Sequence, residues 1–99
     1  MHFRPYLLLV VITVCATLTV PVFAQEGAAI YKTKCSACHG AEGQGKIGPA
    51  LKGTSLSADD IANLLTKGND AKKPPHKKPM NGLSDADAKA VADFVKTLQ

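Results

Sequence analysis

The 99 residues include no tryptophan, two tyrosines and three phenylalanines, so large rings cannot supply the bulk of a core. Strand signals are equally scarce, since no stretch alternates apolar and polar residues over the roughly four to eight positions that a half-buried strand needs. A sheet-based fold is thereby excluded. Three cysteines allow at most one disulfide, too few to staple a small domain in several places. Beyond residue 24 no apolar run approaches the roughly 20 residues that cross a bilayer core. A net charge of only +4, with so few aromatics, also argues against nucleic acid as a partner.

What is present begins with an apolar run, Leu7 to Val20, behind a short start that carries His2 and Arg4. The run ends in Val22-Phe23-Ala24, with a small residue where an export signal is cut. Residues 1–24 are expected to be a cleaved leader, which takes Cys15 with it and leaves no membrane segment. The remaining domain, residues 25–99, numbers 75, and loss of Arg4 lowers its charge from +4 to +3. Below roughly 70–80 residues a hydrophobic core seldom outweighs chain entropy by much, so a staple or a cofactor is needed.

The domain reads as helices joined by glycine- and proline-rich loops. From Glu26 to about Cys38, Gly27, Ile30, Tyr31, Lys34, Cys35 and Cys38 recur at three- and four-residue steps. Glycines at 43, 45, 48 and 53, with Pro49, break the next stretch into a wrapping loop. Ser57 followed by Asp60 signals a capped helix start, with Ile61, Leu64 and Leu65 as its apolar face and Gly68 as its end. After a second loop over residues 69–83, Ser84 and Asp87 repeat the signal, and Val91, Phe94, Val95 and Leu98 form one stripe. The expected class is all-α.

Where the first helix ends, CSACHG (Cys35 to Gly40) gathers two thiols and an imidazole. Structural zinc takes four ligands, usually from two separated pairs, and only one pair is left here. Thiol–disulfide exchange sites place Cys-x-x-Cys after a strand of a βαβ unit, whereas this pair closes a helical stretch. Haem attachment requires Cys-x-x-Cys-His, two thiols for the vinyl edges and the next histidine for the iron, and the motif supplies it. A large, flat, apolar group would also give three short helices a centre to pack against.

Further constellations accompany it: Gly27-x-x-x-Tyr31-x-x-x-Cys35, Gly48-Pro49-Ala50-Leu51-Lys52-Gly53, Pro79-Met80 and the final helix with Phe94. Together they make the chain resemble the bacterial class I cytochromes c over essentially all of residues 25–99. The resemblance implies three to four short helices wrapped around one covalently attached haem c, the first and last crossing where Gly27 and Tyr31 meet Phe94. It implies thioethers at Cys35 and Cys38, His39 and Met80 as axial iron ligands, and the Pro49 carbonyl as acceptor of the His39 ring N–H. The tryptophan that many members place near the haem propionates is missing, which leaves Lys46 and Lys52 as candidate propionate partners. His76, four residues before Met80, competes for the sixth position, because imidazole holds ferric iron more strongly than a thioether does.

The expected function is a periplasmic, non-enzymatic electron carrier that cycles one haem between Fe(II) and Fe(III). The alternatives are a haem subunit of a larger periplasmic dehydrogenase or oxidase, and an open-iron haem enzyme or gas-binding protein. Lys72, Lys73, Lys77 and Lys78 surround Pro74-Pro75 just before Met80, and they are expected to meet acidic redox partners.

Overall fold

The computed structural model describes residues 22–99, with side chains from Gln25 onward. The leader expected over residues 1–24 lies outside the described residues, save for the backbone of its last three. Four helices follow in order: α1 (Val22–Lys34), α2 (Ser36–His39), α3 (Ala58–Lys67) and α4 (Asp85–Thr97). Among the described residues there is no strand.

The two long-loop exits are fixed by local chemistry. Ser57 Oγ accepts the Asp60 N–H at 3.0 Å while the Asp60 carboxylate accepts the Ser57 N–H at 3.4 Å, so two otherwise orphaned donors at the start of α3 are satisfied reciprocally. Ser84 and Asp87 do the same for α4, at 3.0 and 3.3 Å. Acids in the first turns and Lys67 or Lys96 in the last complement each helix dipole.

The first helix departs from the sequence expectation at both ends. It starts at Val22 rather than Glu26, and it stops at Lys34 instead of running to Cys38. Cys35 has φ −118° and ψ −37°, which swings the chain out of the ladder for one residue. Its N–H still donates to the Tyr31 carbonyl at 2.9 Å, while its own carbonyl receives the N–H groups of both Cys38 and His39, at 3.2 and 3.0 Å. The result is a bend followed by one tight turn, α2, that carries the rest of the motif.

Helix α4 packs against both α1 and α3, and the core lies between them. Tyr31, Cys35, Ile61, Leu65, Ala88, Val91, Ala92 and Val95 form it. Gly27 sits against the Ala90 carbonyl carbon and Phe94 Cβ, where an added Cβ would lie 2.9 and 3.1 Å from them. That close approach lets the Tyr31 and Phe94 rings meet at 5.3 Å between centroids, tilted by 53°. The alanines of α4 serve the same end, since small side chains let three short helices come near one another around little apolar bulk.

Candidate functional site

The bend at Cys35 turns α2 so that Cys35 and Cys38, three residues apart, project from one side of a short segment. Both are free thiols; Cys35 is buried and Cys38 half-buried. Burial pushes the Cys35 thiol above its usual pKa, with Lys34 pulling partly the other way. The adjacent His39 is buried too, with 7% of its surface exposed.

A glycine-rich loop holds that histidine in place. Gly45 N–H donates to the His39 carbonyl and Gly48 N–H to the Cys38 carbonyl, each at 2.7 Å, which folds the loop back beneath α2. Pro49 follows, and its carbonyl accepts from His39 Nδ1 at 2.7 Å. With Nδ1 carrying the proton, the Nε2 lone pair is the one left for a metal. A side chain at Gly48 would not allow this, since a Cβ there would stand 2.8 Å from His39 Cε1. Two features of this arrangement were not read from the sequence. One is the role of Gly48 as floor of the His39 ring, which its place in a glycine-rich run disguised. The other is the Tyr31 hydroxyl, which donates to the Gly40 carbonyl at 2.7 Å just past the motif and was assigned only to the helix crossing. Burial raises the Tyr31 pKa, with Cys35 adding to the effect.

The loop between α3 and α4 brings up the other side. Met80 N–H donates to the Leu65 carbonyl at 2.9 Å, tying the segment to α3, and the Met80 side chain packs half-buried against the core. His76 is clamped by its backbone: it accepts from Asn69 N–H at 2.9 Å and donates to the Lys73 carbonyl at 3.1 Å. Its ring faces that of His39, with centroids 5.9 Å apart and planes 29° from parallel. Its Nδ1 is buried and has no hydrogen-bond partner. Burial lowers the His76 pKa, and His39 and Lys72 lower it further. Lys72, Lys73, Lys77 and Lys78 are all exposed beside it, as are Lys46 and Lys52 across the site.

These residues fit a covalently held haem. Two unpaired thiols lie next to an imidazole whose nitrogens are already differentiated, a second imidazole with an orphaned nitrogen stands 5.9 Å from it, and Leu51, Met80 and Leu83 stay half-buried against the core. They do not fit an all-protein cation site, because among the described residues no three His, Cys, Asp or Glu side chains come together.

Comparison with known proteins bears on the same residues. A family model described as cytochrome C oxidase, cbb3-type, subunit III, matches residues 23–95. The chain is 33% identical over 87 residues to cytochrome c-551 of Stutzerimonas stutzeri, covering 80% of this chain and 83% of that one. It is 29% identical over 100 residues to a cytochrome c-553-like protein of Synechocystis sp., covering 99% of this chain and 84% of the other. No solved structure matches it significantly. None of the helices among the described residues is long and apolar enough to cross a membrane.

Proposed function

The chain belongs to the class I c-type cytochromes, a family that carries covalently bound haem c, and from that premise we propose that it is a periplasmic electron carrier with a six-coordinate iron. The observation that carries this reading is the His39 ring, buried beside two free thiols with its Nδ1 already committed to the Pro49 carbonyl at 2.7 Å. When bound, the haem supplies a one-electron Fe(II)/Fe(III) couple. Cys35 and Cys38 hold it by thioethers, and Pro49 fixes the tautomer of His39 so that Nε2 is the donor. Met80, whose N–H is tied to the Leu65 carbonyl at 2.9 Å, would offer its thioether as the second iron donor. A thioether there favours the ferrous state and raises the potential relative to a second imidazole. Ligation by both His39 and Met80 would leave the iron no open place for a substrate, which would separate a carrier from an enzyme.

Lys72, Lys73, Lys77 and Lys78 supply the docking charge for partners with acidic surfaces, and they lie on the loop that bears Met80. A second reading is favoured by the matched family's own description: the chain serves as a haem subunit of a larger oxidase or dehydrogenase. Purification of the exported protein, with its intact mass, a haem stain and ferric and ferrous spectra, tests leader removal, attachment and ligation together. Its native mass separates a free carrier from a subunit. Carbon monoxide added to the reduced protein should bind slowly or not at all at neutral pH; rapid binding would overturn the carrier reading in favour of an open iron.

A further inference from the structure

We propose that His76 is a second distal donor to the haem iron, occupying the sixth position opposite His39 whenever Met80 is absent from it. The inference rests on the haem reading above and deepens it.

The separation of the two imidazoles carries the argument. The rings of His39 and His76 stand 5.9 Å apart between centroids, with planes 29° from parallel. Metal–imidazole bonds of about 2 Å put the centroids of two rings on opposite sides of one ion roughly 6 Å apart. The observed gap is wide enough for one ion shared between the two rings. His76 also keeps a buried Nδ1 without a partner, a state that native structures avoid unless the group has another use. Backbone hydrogen bonds to Asn69 and Lys73 hold the residue itself in place at its carbonyl and its N–H.

Met80 lies on the same loop, four residues further on, with its N–H held by the Leu65 carbonyl. One segment thus presents two donors of opposite preference, imidazole favouring ferric iron and thioether favouring ferrous. Exchange between them breaks one dative bond and forms another; no proton or electron is transferred.

The test uses the haem-loaded protein, followed by electron paramagnetic resonance and near-infrared magnetic circular dichroism of the ferric state. Met80→Ala should remain low-spin with a bis-imidazole signature, and Met80→Ala combined with His76→Ala should become high-spin. Azide must displace His76 in the single variant, so it should bind the double variant at least about tenfold more tightly. A high-spin Met80→Ala protein whose azide affinity equals that of the double variant would overturn the proposal. If Met80→Ala does not mature, Met80→Leu provides the same comparison. The wild-type spectrum judges the Met80 reading separately. A thioether signature sustains it, whereas a bis-imidazole signature abolished by His76→Ala would sink Met80 as the resident ligand and still uphold His76 as a donor.

Discussion

Replacing Gly27 with alanine sets two effects of opposite sign against each other at one position of α1. Intrinsic helix propensity favours alanine over glycine by about 1 kcal/mol, so an isolated helix would gain. In the folded chain the new Cβ would meet the Ala90 carbonyl oxygen in sub-van der Waals contact, with Ala90 C at 2.9 Å and Phe94 Cβ at 3.1 Å. The obstructing atoms belong to a backbone and a Cβ, and neither can rotate aside. Overpacking of this kind costs about 1–3 kcal/mol, and rigid neighbours place it at the upper end. The net expectation is a loss of about 2 kcal/mol, equivalent to a fall of roughly 8–16 °C in Tm for a domain of this size. Thermal unfolding of the haem-loaded protein by circular dichroism measures it. Ala29→Gly, at an exposed position of the same helix, isolates the propensity term and should cost about 1 kcal/mol. A Gly27→Ala protein as stable as wild type, or more so, would refute the close crossing of α1 and α4.

Gly48→Ala should push the His39 ring off the Pro49 carbonyl. Losing a hydrogen bond worth about 1 kcal/mol weakens donation to ferric iron and should raise the one-electron potential by roughly 40 mV in a spectroelectrochemical titration. An unchanged potential would mean that the bond does not tune the iron. Tyr31 makes a pH-dependent contribution: folding raises the pKa of its buried phenol, so the contribution is intact below the unfolded value near 10 and declines as pH climbs from there towards the folded value. Tyr31→Phe should therefore flatten the alkaline limb of the stability profile, and at neutral pH it should cost only about 1 kcal/mol, because Gly40 O retains the Gly43 N–H at 3.2 Å. Electron transfer to an acidic partner should slow steeply with added salt, and reversing Lys72 and Lys73 to glutamate should flatten that dependence; identical salt slopes would show that the patch does not dock.

The parts of this fold that were legible in the sequence are those written locally. Ser57 with Asp60 and Ser84 with Asp87 fix helix starts within four residues, so α3 and α4 begin where the pattern places them. The same holds for the Val91 and Val95 face of α4, both of which are buried. Less legible was the burial of Ala88, Ala90 and Ala92, because alanine carries almost no hydropathic signal and its value here is the close approach it permits. The bend at Cys35 escaped because an apolar period of three and four runs through it uninterrupted. His76 shows the widest gap between residue and role. Its place four residues before Met80 marks it in the sequence, while the 5.9 Å approach of its ring to that of His39 and the burial of its unpartnered Nδ1 have no one-dimensional signature.

The loop that orients His39 also has an anchor far along the chain. Gly53 N–H donates to the Leu98 carbonyl at 3.1 Å, and Lys96 Nζ donates to the Thr54 carbonyl at 2.9 Å. Leu98 is synthesised some sixty residues after CSACHG. The two thiols are thus accessible throughout the interval in which the clasp behind the histidine is still incomplete. Loss of the Leu98 carbonyl would remove the Gly53 hydrogen bond and slacken the loop that keeps the His39 ring against Pro49, with Cys35 and Cys38 themselves untouched.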